Sequence, residues 1–230
     1  MNLLAFDTST EALAIAVARG ASVLGHEGPG GAAASASLLP TILELLRRSG
    51  LGVRDLDAIV FGRGPGSFTG LRTACSVAQG LALGGGVPVL PVETLLAVAE
   101  EARLRTGAVR VQAVLDARMR EVYAAAYEHV DGRWCRDGDI TLGAPGLLAL
   151  RPGWTVAGNA GALLPAGSER VDALPTAGAL LRLAPALLAA GHGRPAHEAL
   201  PLYVRDKVAQ TTDERAALRA GAAAGARMPP

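Results

Sequence analysis

Two aspartates have the residue type and the position to do chemistry in this sequence. Asp7 and Asp116 each end a short apolar run that predicts a buried strand, and each stands directly before a tight turn. In two related lobes such carboxylates would face a shared cleft, where they could bind a magnesium–phosphate group or act as general bases. The alternative, which we favour, is that each carboxylate bonds the backbone of its own turn.

The neighbours of the two aspartates support this alternative. Asp7 is followed by three hydroxyl residues at positions 8–10, and such residues are typical of hydrogen-bonded turns. Asp116 is followed closely by Arg118 and Arg120, so a local ion pair is expected there.

A glycine-rich run at residues 62–70 is the second feature with possible chemistry. It is not a P-loop, because no lysine follows the glycines and the only lysine of the chain is Lys207. It also lacks the GxGxxG fingerprint and the Gly-x-Ser-x-Gly elbow around Ser67. We expect Ser67 or Thr69 to cap the following helix. The run is then either a tight structural turn or an anion site made by backbone N–H groups and Arg72.

Metal and disulfide chemistry are not expected. The two cysteines, Cys75 and Cys135, are far apart and form no CxxC pair. His192 and His197 are five residues apart rather than four, with Gly193 between them, which does not suit a helical metal pair.

The composition bounds the class of protein. Half of the 230 residues are hydrophobic, and the net charge of +1 provides no long-range attraction for nucleic acid. The apolar N-terminus is interrupted by Asp7 and Glu11, and no other stretch reaches the ~18 apolar residues of a membrane span. We therefore expect a soluble, cytoplasmic protein.

The order of the predicted elements repeats once along the chain. The first half predicts strands at 3–7, 12–18, 22–26, 56–62 and 87–92, a loop at 28–37, and helices at 38–49, 71–83 and 94–105. The second half predicts strands at 111–116, 121–127, 133–136 and 155–158 and a helix at 176–190. When Asp7 is aligned with Asp116, Leu13 falls on Val122.

This pattern predicts an α/β fold made of a duplicated βββαβα unit, with two lobes of which the second is degenerate. We expect an N-terminal lobe at 1–107, a C-terminal lobe at 108–212, and a disordered tail at 213–230, which is rich in alanine and glycine.

Two predicted helices have more apolar or uncharged surface than one core requires. The apolar stripe of the helix at 38–49 spans an arc of roughly 160°, wider than the usual ~100°. It indicates either deep burial or an edge that faces another chain. The helix at 71–83 has Arg72 as its only charge, with small residues opposite its apolar face. A helix without a charged face is normally covered on both sides.

Several strings of residues resemble one family. They are LAFDTST at 4–10, FGRGPGSFTGLR at 61–72, AQGLA at 78–82, LDARMREVY at 115–123 and LYVRDKVA at 202–209. Together, over about residues 1–210, they resemble the bacterial TsaB family, also called YeaZ, within the actin, sugar-kinase and Hsp70 superfamily.

The resemblance implies a role in making N6-threonylcarbamoyladenosine at position 37 of tRNAs that read codons beginning with A. It implies that the chain is a non-catalytic subunit that pairs with its catalytic paralogue TsaD and is joined by the ATPase TsaE. It further implies no catalytic residue, metal or cofactor of its own, and tRNA bound only through the complex. Two points stay open at this stage: whether ATP or ADP binds at the complex interface, and whether the chain alone is a monomer or a homodimer.

The helical interface required by such pairing is placed on the two helices described above. The expected partner-facing residues are Leu38, Leu39, Ile42, Leu46, Thr73, Ser76, Val77 and Gly80. The alternative function is a stand-alone phosphotransferase that uses Asp7 and Asp116, for which the turn at 158–161 is the only candidate nucleotide loop.

Two positions depart from the family pattern. Ala34 stands where the family usually has a histidine, before Leu38, and Arg120 stands where it tends to have glycine. The turn after Asp116 is therefore expected to differ.

Overall fold

The first half of the chain forms a five-stranded sheet with a helix after its third, fourth and fifth strands. The computed structural model describes residues 1–165 and 170–205, so the predicted tail at 213–230 lies outside the described residues. The strands are β1 (Asn2–Asp7), β2 (Ala12–Arg19), β3 (Ser22–Pro29), β4 (Ala58–Gly64) and β5 (Val89–Glu93). The helices are α1 (Ala32–Ser49), α2 (Phe68–Gly85) and α3 (Thr94–Thr106).

The second half forms a second sheet of the same topology. Its elements are β6 (Arg110–Arg118), β7 (Glu121–Val130), β8 (Arg133–Gly143), β9 (Thr155–Ala157), β10 (Arg170–Val171) and α4 (Ala177–Ala189). The first sheet has the order β3-β2-β1-β4-β5 and the second has the equivalent order β8-β7-β6-β9-β10. The predicted two-lobed, duplicated α/β fold is thus confirmed.

The register of the two copies differs by one residue after the first strand. Asp7 lies opposite Ala14 in the first sheet, whereas Asp116 lies opposite Val122 in the second. Val122 is therefore equivalent to Ala14. The sequence alignment, which placed Leu13 on Val122, was wrong by one residue. The reason is a shorter turn in the second copy, with a register shift between Asp116 and Arg118.

Helices were expected after the strands of both copies, and the second copy has fewer of them. Residues 144–154, which connect β8 to β9, contain only a 3-10 turn where the first half has α1. Pro145, Gly146, Pro152 and Gly153 in this stretch explain the loss, because proline and glycine are the poorest helix formers.

Helix α1 begins earlier than the sequence indicated. Residues 28–37 were expected to be a loop, but α1 starts at Ala32 and continues to Ser49, with Gly50 in the left-handed conformation as its C-cap. The alanines that open the helix have the highest intrinsic helix propensity, which accounts for the extra turn.

The core is arranged in layers around the first sheet. α1 and α2 pack on one face of this sheet, while α4 packs on the other, with Leu180 and Ala184 against Leu3 and Val60. α3 packs on the second sheet through Leu95 and other apolar residues. The lobe limits at 107 and 212 stay predictions, but α4 belongs by sequence to the second half and by packing to the first sheet.

A buried charge network joins α3 to α4 and β8. Glu100 is only 2% exposed and accepts hydrogen bonds from Arg103, from Trp134 Nε1 at 2.9 Å and from Arg182 Nε at 2.9 Å. Glu101 accepts bonds from Arg105, from Arg182 and from Thr176, the residue whose hydroxyl also caps α4.

These hydrogen bonds decide the ionisation of the two glutamates. Burial raises the pKa of Glu100 and of Glu101, but the bonds from their arginine, tryptophan and threonine partners outweigh it and hold both pKa values below the usual 4.5. Both carboxylates are therefore charged at neutral pH. Their contribution to folding stability is present above pH 4.5 and is lost as the pH falls through the lowered pKa values.

We expect Glu100→Gln to lower the free energy of unfolding at pH 7 by about 2–4 kcal/mol, because Arg103 and Arg182 lose a buried charge partner. Chemical denaturation between pH 3 and 7 measures this, and the difference from the wild type should shrink toward pH 3. The matched control is Glu44→Gln, which removes the exposed Glu44–Arg47 pair of α1 and should leave stability unchanged. Equal effects of the two substitutions would contradict a structural role for the network.

Candidate functional site

A cleft of about 510 Å³ opens between the two lobes, at the ends of β1 and β6. It is lined by the turn after β1, the glycine run, the turn after β6, Asn159 and residues 202–205. Of the two aspartates, only Asp116 lines it.

Asp7 is held inside the first lobe. Its Oδ1 accepts bonds from the backbone N–H of Ser9 at 2.8 Å and from the Ser9 hydroxyl at 2.6 Å. Its Oδ2 has no hydrogen-bond partner among the described residues and lies over Gly62, where a Cβ would come within 1.7 Å of it. The prediction that this carboxylate bonds its own turn is confirmed.

Burial sets the pKa of Asp7. Removal from water raises this pKa from 3.8 to about 6, against the opposing effect of the two bonds from Ser9. The carboxylate is 1% exposed, so its charge at neutral pH is a cost to folding.

Asp116 also bonds its own turn, and it adds a link between the lobes. Its Oδ1 accepts from the Arg118 backbone N–H at 2.7 Å, and its Oδ2 lies 3.3 Å from Arg118 Nη1. The expected local ion pair is thus made by Arg118. The backbone N–H of Asp116 donates to Asn159 Oδ1 at 2.9 Å, and Asn159 Nδ2 donates to Glu11 at 3.1 Å.

The bridge through Asn159 was not found from the sequence. Glu11 and Asn159 are 148 residues apart. The sequence signal closest to this bridge was the turn pair Gly158-Asn159. The structure explains the glycine, because its φ of 138° and its close approach to the Val114 carbonyl leave no room for a side chain.

The turn after Asp116 has three successive residues in the left-handed region. The φ angles of Arg118, Met119 and Arg120 are 62°, 54° and 61°. This conformation costs a non-glycine residue roughly 1–2 kcal/mol. Glycine adopts it without strain, which is the physical reason for a glycine preference at the position of Arg120.

The glycine run packs against the turn after β1. The Ser67 backbone N–H donates to the Ser9 carbonyl at 2.7 Å, and the Thr8 hydroxyl donates to the Gly70 carbonyl at 2.7 Å. Ser67 Oγ accepts from the Gly70 N–H, so Ser67 caps α2 as expected. Because the N–H groups of Ser67 and Gly70 are used within the chain, these two donors support the tight structural turn, and the anion site stays an alternative prediction.

Residues 202–205, which we call the strap, cross from one lobe to the other. The Leu202 N–H donates to the Arg63 carbonyl at 2.7 Å, which fixes the strap to the first lobe. Arg205 reaches the second lobe, where it bonds the Ala117 carbonyl at 3.0 Å and Glu121 at 2.7 Å. Asp206 and Lys207, which follow Arg205, lie outside the described residues.

The expected partner-facing residues of α1 divide into buried and exposed positions. Leu38, Ile42 and Leu46 lie in the core against the first sheet, so the expectation that they face a partner is wrong. The exposed large hydrophobic residues of α1 are Leu39 and Leu43, at 41% and 49%. The wide stripe therefore has both a core part and a surface part.

The expected face of α2 lies at the surface. Its buried residues are on the predicted apolar side, Ser76 and Gly80 are exposed, and Thr73 and Val77 are half-buried. Thr73 shares a hydrogen bond with Ser35 of α1 at 3.1 Å. A shallow groove runs here, lined by Ser35, Phe68, Thr69, Arg72, Thr73, Ser76 and Val77.

Two further expectations concern metals and membranes. Within residues 1–165 and 170–205, no three His, Cys, Asp or Glu side chains are grouped so that they could hold a metal ion. None of the helices in these ranges has the length and apolarity that a membrane crossing would need. Both cysteines are free, with Cys75 buried and Cys135 exposed.

The chain is similar in sequence and in fold to several known proteins. The family model TsaD, described as tRNA N6-adenosine threonylcarbamoyltransferase, matches residues 29–138. The tRNA threonylcarbamoyladenosine biosynthesis protein TsaB of Escherichia coli K12 is 34% identical, with 91% of this chain and 96% of that protein covered. TsaB of Haemophilus influenzae is 45% identical over 54% of this chain and 52% of that protein. The solved structure of YeaZ from Pseudomonas aeruginosa superposes with a TM-score of 0.81 at 39% identity, covering 88% of this chain and 99% of that one.

Gly70→Ala should lower the free energy of unfolding by more than about 3 kcal/mol, because the new Cβ would lie 1.8 Å from the Thr8 carbonyl oxygen. The matched control is Gly80→Ala on the same helix, where a Cβ meets nothing within 4 Å. That change should raise stability by up to about 1 kcal/mol. Denaturant unfolding of both variants measures the contrast, and a mild Gly70→Ala would contradict the packing of the glycine run.

Asp7→Asn should alter the pH dependence of stability. In the wild type the unfolded chain ionises at pH 3.8 and the folded chain at about 6, so stability falls between these values as the pH rises. The two-unit difference amounts to about 3 kcal/mol. The stability of Asp7→Asn relative to the wild type should therefore rise by about 2.5 kcal/mol from pH 4 to pH 8, in urea titrations, because part of the change already lies below pH 4. A constant difference over that range would show that the pKa of Asp7 is not raised.

Proposed function

Because this chain belongs to the TsaB (YeaZ) family, and so takes part in tRNA threonylcarbamoyladenosine biosynthesis, we propose that it acts there as a non-catalytic partner subunit. Its partner is the catalytic paralogue TsaD. The two chains pair through the exposed faces of α1 and α2, and the pairing activates TsaD.

The observation that carries this proposal is the uncharged outer face of α2. Ser76 and Gly80 are exposed on this face, next to half-buried Thr73 and Val77. A helix of 18 residues thus exposes a long face that carries no charge. Helices usually present charged residues to water, and a face of small residues lets a second helix approach to the 8–10 Å of a packed pair.

The exposed leucines of α1 extend this face. Leu39 and Leu43 are one turn apart on the helix beside α2, and neither belongs to the core cluster that holds Leu38 and Ile42. Exposed apolar residues that lie together favour burial against another protein. We therefore assign the partner surface to Leu39, Leu43, Thr73, Ser76, Val77 and Gly80.

The two aspartates support a non-catalytic role rather than the phosphotransferase alternative. Phosphoryl transfer would require both carboxylates to reach a shared substrate. Asp7 is enclosed beneath Gly62 and bonded to Ser9, and Asp116 is engaged by Arg118 and Asn159. Each carboxylate stabilises its own turn, so both aspartates have a structural role here.

We propose the wider assembly on the basis of the same family membership. The product is threonylcarbamoyladenosine at position 37 of tRNAs that read codons beginning with A, made in the cytoplasm. The ATPase TsaE joins the pair, ATP or ADP lies at the complex interface, and tRNA is bound only through the complex. The chain alone forms a homodimer through the same uncharged surface.

The test is Gly80→Arg in a reconstituted modification assay that contains the matching TsaD and TsaE, ATP and tRNA. A long side chain on the small face should weaken binding to TsaD at least about tenfold and lower modification in proportion. Folding should be unharmed, because a Cβ at Gly80 meets nothing within 4 Å and arginine is a better helix former than glycine.

The control is Gly146→Arg, an identical change at an exposed glycine of the second lobe with equal free space. It should leave binding and modification at the wild-type level. The proposal fails if omission of the wild-type chain leaves modification unchanged, or if Gly80→Arg and Gly146→Arg behave alike.

A further inference from the structure

Arg72 is the only charged residue of α2, and it is exposed at the edge of the groove that lies along the uncharged face. It follows Phe68 by one helical turn and precedes Ser76 by another. One cation adds little solubility to a helix that is otherwise uncharged. The position of Arg72 therefore calls for a more specific role.

The guanidinium of Arg72 is held in place from two sides. Its central carbon lies 3.8 Å from the centre of the Phe68 ring, and its Nε donates to the Tyr203 hydroxyl at 3.0 Å. The rings of Phe68 and Tyr203 are themselves in contact, with centroids 5.4 Å apart. Tyr203 belongs to the strap, which is bonded to Arg63 and, through Arg205, to the second lobe.

Within residues 1–165 and 170–205, this arrangement leaves the terminal nitrogens of Arg72 available. Neither Nη1 nor Nη2 bonds another residue in the part of the chain that the structure describes. The two N–H pairs of a guanidinium form a planar fork that matches a carboxylate in two parallel bonds. Because Arg72 is already fixed by Phe68 and Tyr203, little side-chain entropy remains to be lost when a partner binds.

We propose that Arg72 pairs with a carboxylate of TsaD when the two chains dock, and that Tyr203 and Phe68 position it for this contact. The inference rests on the proposed function and goes beyond it, because it adds a charged contact and the strap to an otherwise uncharged surface. A lone charge pair at the edge of a neutral interface fixes the register in which two helices meet, since a slipped arrangement leaves both charges unpaired. Arginine and tyrosine are also the residues most enriched among strong contacts of protein interfaces.

The experiment measures the dissociation constant of the complex with TsaD, without tRNA, for four variants at low and physiological salt. Arg72→Glu should weaken binding about 30-fold or more, because it places a negative charge against the carboxylate. Arg72→Lys keeps the charge but loses the fork, and a loss of about fivefold is expected. Tyr203→Phe removes only the hydroxyl that holds Nε, for an expected loss of about threefold.

The fourth variant is the control, Arg133→Glu, which makes the same charge reversal at an exposed arginine of β8 in the second lobe. It should bind as the wild type does. Thermal unfolding of each variant alone should stay within a few degrees of the wild type, because the stacking of Arg72 on Phe68 and its bond to Tyr203 are exposed contacts that contribute little to stability. The wild-type affinity should also fall with salt more steeply than that of Arg72→Glu.

The outcomes separate this inference from the proposed function. If Gly80→Arg weakens binding while Arg72→Glu binds as Arg133→Glu does, the partner surface stands and the role of Arg72 is wrong. If Arg72→Glu binds TsaD normally but fails in tRNA modification, the cation contacts RNA, which also overturns the inference. If the wild-type chain does not bind TsaD, both proposals fail.

Discussion

The structure depends on a close backbone contact between the turn after β1 and the glycine run before α2. At three glycines of the run, a Cβ would collide with this turn: Gly62 with the Asp7 carboxylate, Gly66 with the Ser9 carbonyl and Gly70 with the Thr8 carbonyl. The contact fixes where α2 begins and how it lies on the sheet. It also forms one wall of the cleft and seals Asp7 from water, so the same packing that builds the lobe withdraws its first carboxylate from the solvent.

The direction of α2 then determines what the surface of the first lobe offers. With its apolar side on the sheet, the small residues Ser76 and Gly80 point outward, and Phe68 and Arg72 in its first turns meet the strap. The proposed partner surface, the cleft and the strap therefore all border the same helix, α2. A substitution in the glycine run that shifts α2 would therefore alter the proposed partner surface, the cleft and the strap together.

Local sequence signals predicted the duplicated fold, because alternating strands, glycine turns and helical stripes repeat on the scale of single elements. They did not tell which part of the α1 stripe faces the sheet: Leu38 and Ile42 are buried and Leu39 is exposed, yet all three belong to the same apolar stripe of the sequence. Nor did they reveal the bond between Arg72 and Tyr203, 131 residues apart, or that between Asn159 and Glu11. Such contacts follow from tertiary packing, which leaves no periodic trace in the chain.

The position of α4 has a consequence for synthesis. This helix covers the second face of the first sheet, where Leu3, Val60 and Val92 lie, but it is made long after the strands it covers. The roughly 80 residues from the end of α3 to the end of α4 take about 4–16 s to translate. During that interval the nascent first lobe carries an uncovered apolar sheet face, so a ribosome-associated chaperone has a defined surface to shield until the last helix emerges.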